Sequence, residues 1–147
     1  MKAVRLHGPG DLRVDDIPAP VTGPKDSLVR PSVVGICGSD VSYTAHGGVT
    51  EALKSPIGLG HEVAGVIQTV GSEVSNLKVG QRIVVNPMGD GNATGNGAPE
   101  GASSSLMIVR NATAGGGVLP LPEALSFEDG ALVEPLASRR MPSIGPR

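Results

Sequence analysis

Glycine and proline interrupt this chain so often that long helices and long strands are not expected in it. Of its 147 residues, 22 are glycine and 13 are proline. The apolar runs between them are short and rich in β-branched residues, and the only aromatic residues are Tyr43 and Phe127. β-branched runs bounded by turn residues are typical of strands. The sequence therefore predicts a mainly β domain with short helices and a core of Val, Leu, Ile and Ala.

The first third of the chain predicts a hairpin followed by a long strand. Lys2–His7 and Leu12–Asp16 alternate between apolar and polar residues, and Gly8–Asp11 between them has turn composition. Ser27–Ile36 is a β-branched run that contains Pro31. Because proline cannot donate to a strand ladder, this strand is expected at a sheet edge or with a bulge.

The rest of the chain predicts further strands and one short helix. The strands are expected over Val63–Val70, Gln81–Val85 and Leu106–Val109, the first two as antiparallel neighbours in a small barrel. Val41–Lys54 is ambiguous, with Gly47-Gly48 breaking any helix, and most of Asn86–Gly117 is expected to be irregular.

The C-terminal region carries a helix-start pattern. Ser126 and Asp129 have the spacing of a capping box, which predicts a helix over Phe127–Val133. Pro135 is expected to keep Glu134 out of helical geometry. Residues 138–147 show no periodicity and are expected to form an irregular tail.

Composition excludes several classes of protein. The net charge is -2 and no basic stripe is present, so nucleic acid is not expected as a partner. No apolar run approaches the roughly 18 residues of a membrane helix. A single cysteine excludes an internal disulfide and a four-cysteine zinc site. In the absence of a signal-peptide pattern, a cytoplasmic location is the default expectation.

Three side chains that zinc prefers occur in glycine-rich settings beside strands. Cys37 lies between Gly35 and Gly38, and His61-Glu62 follows Gly60. A thiolate, an imidazole and a carboxylate can bind zinc and leave the fourth position open, as catalytic sites do. The alternative interpretation is a small buried cysteine and a core histidine. The glycines and adjacent strands favour a metal site.

Two neighbours of Cys37 have open roles on residue type alone. Asp40 is either the carboxylate that receives the free N–H of a metal-bound histidine or a solvated turn residue. Ser39 either passes a proton from the metal site or bonds to the backbone of a turn.

An ordered set of motifs is similar to the zinc-dependent medium-chain dehydrogenases. The motifs are Gly35–Asp40, Leu59–Gly65, Val70–Val74, Leu77–Arg82 and Val133–Ala137. The last of them resembles the polyol branch, which includes sorbitol, xylitol, L-idonate and butanediol dehydrogenases. The resemblance implies a GroES-like β-barrel catalytic domain over residues 1–137.

The resemblance also implies a catalytic zinc site. It implies that Cys37, His61 and Glu62 are ligands to one zinc ion and that Glu134 can approach the ion or its water. Zinc would lower the pKa of a hydroxyl on a small alcohol or polyol, and a hydride would pass to NAD or NADP.

Three further residues receive roles from the same resemblance. Ser39 corresponds to the proton-relay hydroxyl, and Asp40 to the carboxylate behind the zinc-binding histidine. Tyr43 corresponds to a residue that lines the substrate pocket.

The chain departs from the family pattern in several places. Ser42 and Gln81 stand where relatives carry histidine and aspartate, and residues 86–101 lack the cysteines that hold a structural zinc in many relatives. No Gly-x-Gly-x-x-Gly fingerprint is present, so the family's Rossmann nucleotide-binding domain is expected to be absent.

Two hypotheses follow from that departure. In the first, the chain is a truncated or split dehydrogenase domain that works with a separate nucleotide-binding domain or as a homo-oligomer. In the second, it is a non-enzymatic metal-binding or chaperonin-like interaction module that has kept the barrel.

Overall fold

The computed structural model describes residues 1–48 and 56–140, and these residues confirm a mainly β domain with short helices. The strands are β1 (Lys2–Leu6), β2 (Leu12–Asp16), β3 (Ser27–Val34), β4 (Ile57–Gly58), β5 (Val63–Val70), β6 (Arg82–Val85), β7 (Met107–Val109) and β8 (Val118–Pro120). The helices are α1 (Gly38–His46), α2 (Phe127–Ala131) and α3 (Val133–Arg140). None of these helices is long and apolar enough to cross a bilayer.

The strands form two antiparallel sheets that are joined through the segment before β7. One sheet has the order β2-β1-β4 and the other β7-β3-β5-β6-β8. The predicted hairpin of β1 and β2 is confirmed, as is the pairing of β5 with β6. Val4 N–H donates to the Ser103 carbonyl over 2.7 Å, and Ser105 N–H donates to the Lys2 carbonyl over 2.9 Å. The segment that leads into β7 therefore ties the small sheet to the large one.

The core is aliphatic, as composition predicts. The largest buried cluster comes mainly from the five-stranded sheet and includes Val29, Val63, Ile67, Ile83, Val85, Met107, Val109 and Val118. A second cluster beneath α1 consists of Leu6, Tyr43, Ile57 and Leu59. Together they hold β3, β5 and α1 in fixed positions, because burying each aliphatic side chain contributes about 1.5–3 kcal/mol.

The strand β3 lies in the middle of its sheet, between β7 and β5. The register of β3 against β5 shifts between Pro31 and Val33, so the bulge expected at Pro31 is present. The alternative expectation of an edge strand is wrong. The bulge lets a central strand accept a residue without an N–H, because the ladder is already interrupted there.

The two C-terminal helices follow each other with only Leu132 between them. Ser126 Oγ accepts a bond from Asp129 N–H over 3.0 Å, and Asp129 accepts one from Ser126 N–H over 2.9 Å, which confirms the capping box. The helix expected over Phe127–Val133 ends earlier, at Ala131. A Cβ at Gly130 would lie 2.8 Å from the Cβ of Ala64, so glycine permits α2 to approach β5.

Glu134 lies inside α3, so the expectation that Pro135 keeps it out of helical geometry is wrong. Pro135 is in the first turn, where N–H groups have no acceptor within the helix, and proline is tolerated there. The expected irregular tail is also wrong for Ser138, Arg139 and Arg140, which belong to α3. The rest of that tail, residues 141–147, lies outside the described residues. The domain boundary at residue 137 stays a prediction.

The region between β6 and β7 is largely irregular, as expected, and Asp90 joins it to the segment before β8. Asp90 has a φ of 55° and accepts bonds from the N–H groups of Thr113 and Gly117 over 2.9 and 2.6 Å. Burial raises the pKa of this carboxyl, but the bonds from Gly117 and Thr113 outweigh that effect and leave the pKa below its ordinary value.

Asp90→Asn is expected to lower the free energy of unfolding at neutral pH, and less so in acid. A carboxyl whose pKa is lowered in the folded state stabilises the protein fully at pH values above the ordinary pKa of 3.8. That contribution is lost as the pH falls through the folded-state pKa. Urea unfolding of both proteins between pH 7 and about pH 3 measures the difference. A difference that does not change with pH would contradict the assignment.

Candidate metal centre

Cys37 lies just beyond β3 and is the N-cap residue of α1. Asp40 Oδ2 accepts a hydrogen bond from Cys37 N–H over 2.9 Å. The helix that follows was not predicted, because cysteine is rarely a capping residue. The available signal was Asp40, since a carboxylate in the first turn favours a helix start. The break at Gly47 is confirmed, with a φ of 73°. Residues 49–54 of the ambiguous segment lie outside the described residues.

His61 and Glu62 immediately precede β5 and are almost completely buried, with 4% and 8% of their surfaces exposed. Gly60 has a φ of 84°, and a Cβ there would lie 2.6 Å from Ser103 Oγ. The Gly60 carbonyl accepts a bond from Ala102 N–H over 2.9 Å. The chain can therefore turn into β5 only with glycine at this position. This turn fixes the backbone position of His61.

The pairing of β3 with β5 brings the two candidate segments together. The strands are antiparallel, and Val34 at the end of β3 pairs with Val63 at the start of β5. Cys37 and the His61-Glu62 pair therefore lie at the same end of adjacent strands. One ligand atom from each of the three residues lies within 4.8 Å of the others. The thiol, imidazole and carboxylate expected as a set do converge.

The glycine at position 35 makes room for the Glu62 side chain. A Cβ at Gly35 would lie 2.2 Å from Glu62 Oε2 and 3.0 Å from Glu62 Cβ. Gly35 N–H also donates to the Glu62 carbonyl over 2.7 Å. The carboxylate thus occupies the volume that any other residue at position 35 would fill. The chemistry of this donor set fits zinc, which binds nitrogen, sulfur and oxygen ligands.

The imidazole of His61 has an unsatisfied nitrogen. Among the described residues, Nδ1 is buried without a hydrogen-bond partner, and Asp40 Oδ1 lies 3.9 Å away. An unpaired buried polar atom costs about 1–3 kcal/mol, and a shorter separation between Nδ1 and Asp40 Oδ1 would satisfy this nitrogen.

The model of the alcohol dehydrogenase GroES-like domain matches residues 23–132, which is most of the chain. The chain belongs to this family. The family match and the two antiparallel sheets together confirm the expected GroES-like fold.

Relatives of this GroES-like chain include polyol dehydrogenases. It is 37% identical to sorbitol dehydrogenase of Homo sapiens, over 90% of this chain and 41% of that one. It superposes on 2R,3R-butanediol dehydrogenase from Bacillus subtilis with a TM-score of 0.80 and 32% identity, over 91% of this chain and 44% of that one. A candidate zinc-binding dehydrogenase from Sinorhizobium meliloti 1021, solved with NADP bound, gives a TM-score of 0.78 and 29% identity, over 92% of this chain and 42% of that one.

The chain thus spans less than half the length of these relatives. Over residues 1–48 and 56–140 it contains the GroES-like domain and no Rossmann nucleotide-binding domain, as expected.

Two residues of α1 to which the resemblance gives roles lie near the cluster in sequence and are partly or fully buried. Ser39 Oγ is buried and has no hydrogen-bond partner among the described residues. Tyr43 packs in the apolar cluster with Leu6, Ile57 and Leu59 and is 8% exposed. The proton-relay role of Ser39 and the pocket-lining role of Tyr43 stay predictions.

Glu134 lies apart from the three converging residues. It is not a member of the group formed by Cys37, His61 and Glu62 in the described part of the chain. It lines a cavity of about 350 Å³ between α3 and the end of β6, with Val85 and Met88 among its neighbours. Its role as a further zinc ligand stays a prediction.

Proposed function

We propose that this chain forms the zinc-binding half of an alcohol or polyol dehydrogenase active site, with Cys37, His61 and Glu62 as ligands to one zinc ion. The convergence of the three donor atoms within 4.8 Å carries the proposal. Three protein ligands leave one position open for a substrate hydroxyl. The family membership and the names of the relatives support an alcohol or polyol as the substrate class.

Each nearby side chain has a distinct task in this proposal. Zinc, when bound, supplies Lewis-acid polarisation of an oxygen. Ser39 would relay the proton that the substrate hydroxyl gives up, taking it on Oγ while passing on its own hydroxyl proton, and its unpaired hydroxyl supports this role. Asp40 would stabilise the orientation of His61 from 3.9 Å. Glu134 would approach the ion or hold its water, and Tyr43 would line the pocket.

The hydride acceptor, NAD or NADP, would be held by a nucleotide-binding domain, as either a separate chain or part of a larger assembly. Support comes from the relatives, of which this chain covers 41–44%. The default expectation of a cytoplasmic location belongs to this proposal as well.

Cys37→Ser is expected to reduce bound zinc from about one ion per chain to a small fraction of that, because a hydroxyl does not replace a thiolate as a zinc ligand. Metal analysis of the purified chain after dialysis gives the ratio. The control is His46→Ala, since His46 is an exposed histidine of α1 that lies outside the converging group. It should keep its zinc. A wild-type chain without bound zinc would contradict the proposal.

Activity is tested by NADH formation from sorbitol, xylitol and 2,3-butanediol. The chain alone should give little NADH, because nothing in its described part orients a nicotinamide beside the substrate. Adding a dinucleotide-binding domain from a relative should increase the rate, and Cys37→Ser should remove that increase. A rate that the partner domain does not change would contradict the two-part arrangement.

A second candidate function is an interaction module without chemistry. The exposed apolar side chains of Leu132 and Leu136 favour it, at 56% and 63% exposure, because they offer a contact surface beside α3. If this function is the correct one, Cys37→Ser will bind partners as the wild type does, and no nucleotide-binding domain will confer activity.

A further inference from the structure

One carboxylate connects the two segments that carry the candidate ligands. Asp40 is 7% exposed. Its Oδ2 accepts a hydrogen bond from Cys37 N–H over 2.9 Å, and its Oδ1 accepts one from Gly60 N–H over 3.1 Å. Cys37 is itself a candidate ligand, and Gly60 is the residue before His61. The side chain of Asp40 therefore joins the start of α1 to the turn that enters β5.

These two bonds are shorter than the contact of Asp40 with the imidazole. His61 Nδ1 lies 3.9 Å from Oδ1, which is beyond hydrogen-bond distance. Both short contacts of the carboxylate thus go to backbone groups. Asp40 therefore contacts the backbone of the segments that carry the ligands more closely than it contacts the histidine ring.

We propose that Asp40 is a positioning residue that holds the metal centre in its ligand-ready geometry before any metal binds. The inference rests on the proposed function, since it assumes that Cys37, His61 and Glu62 bind zinc. A site whose backbone is already ordered loses less conformational entropy on binding. Removing such an outer partner typically weakens metal affinity about 10–100-fold.

A carboxylate is required because both of its oxygens accept. An asparagine at position 40 has one accepting oxygen, and its NH₂ group would face the second N–H donor. Asp40→Asn therefore keeps one of the two bonds and loses the other, while the shape and volume of the side chain are preserved.

Asp26 provides a control elsewhere in the fold, because it is also a buried carboxylate that accepts two backbone N–H bonds. It differs from Asp40 in one contact, an ion pair with Arg110 Nη1 at 3.3 Å. It is 8% exposed and accepts bonds from Gly23 N–H over 3.1 Å and from Asn111 N–H over 3.2 Å. Asp26→Asn should therefore also lower the free energy of unfolding, while leaving the metal centre unchanged.

The experiment measures zinc affinity by competition with a chromophoric chelator, on wild type, Asp40→Asn and Asp26→Asn. We expect Asp40→Asn to bind zinc about 10–100-fold more weakly and Asp26→Asn to match the wild type within about threefold. With cobalt in place of zinc, the thiolate-to-metal and ligand-field absorption bands should shift in Asp40→Asn alone. A loss of overall stability would not move these bands.

Two outcomes overturn the inference while leaving the proposed function intact. In one, the wild type binds zinc and Asp40→Asn binds it equally well. In the other, both variants lose affinity to the same extent, which would mean that stability and not position is responsible. A wild type that binds no zinc is a different result, because it removes the proposed function itself.

A measurement on the wild type keeps the inference testable if Asp40→Asn does not fold. Amide hydrogen exchange in the metal-free chain should show Cys37 and Gly60 N–H protected, with rates that change less than about threefold when zinc is added. Amides that exchange freely until zinc is added would overturn the inference, because the metal would then build the site.

Discussion

Gly35→Ala is expected to weaken zinc binding by more than about a hundredfold while the chain stays folded. The new Cβ would lie 2.2 Å from Glu62 Oε2, a separation that non-bonded atoms do not adopt. Glu62 must then rotate away or β3 must separate from β5 at the bond between Gly35 N–H and the Glu62 carbonyl. Either movement removes the carboxylate from the group with Cys37 and His61. Calorimetric titration of the metal-free chain with zinc measures the loss.

The matched control is Gly38→Ala, on the other side of Cys37. A Cβ at Gly38 would have no atom within 4 Å, and Gly38 begins α1, where alanine is the better helix former. This variant should bind zinc as the wild type does. If Gly35→Ala also binds zinc normally, Glu62 is not a ligand, and the metal would have to be held by Cys37, His61 and another donor.

Six of the eight strands in the described residues could be predicted because their signals are local, whereas the very short strands β4 and β8 were not predicted. The alternation in Lys2–His7 and Leu12–Asp16 and the turn between them specify the first hairpin within a few residues. The capping box of Ser126 and Asp129 is equally local. In each case the sequence neighbours that determine the conformation are also the hydrogen-bond partners.

The residue types of the candidate metal centre could be predicted from the sequence, but their convergence in space could not. Cys37 and His61-Glu62 converge because β3 pairs with β5, a contact between strands distant in sequence that no local pattern specifies. The bond from Gly60 N–H to Asp40 follows from that same pairing, whereas the bond from Cys37 N–H to Asp40 is local to the start of α1. The identity of the candidate metal ligands could thus be predicted from the sequence, and the distances between them depend on tertiary structure.

The error at Glu134 has a different origin. The steric rule for a residue before proline is statistical, and it gives way where the proline lies in the first turn of a helix. Two helices separated only by Leu132 place Pro135 in such a turn. Leu132, which precedes α3, is not a capping residue type, so no local pattern marks where this helix begins.

Gly58→Ala is expected to destabilise the domain by about 3 kcal/mol or more, because the added methyl group meets only backbone, which cannot rotate away. A Cβ at Gly58 would lie 2.5 Å from Gly101 N and 2.9 Å from Gly101 Cα. The segment around Gly101 must therefore move away from β4. That movement breaks the bonds from Ala102 N–H to the Gly60 carbonyl and from Ser103 N–H to the Leu59 carbonyl, both 2.9 Å long.

The same substitution should reduce zinc affinity, since the turn that fixes His61 depends on those two bonds. Urea unfolding gives the stability, and zinc titration below the unfolding transition gives the affinity. Gly8→Ala is the control, because a Cβ at Gly8 would have no atom within 4 Å, and its effect should stay within about 1 kcal/mol. A Gly58→Ala protein as stable as wild type would show that the contact with Gly101 is not required. Loss of stability with unchanged zinc affinity would instead show that His61 is held by Asp40 and β5 alone.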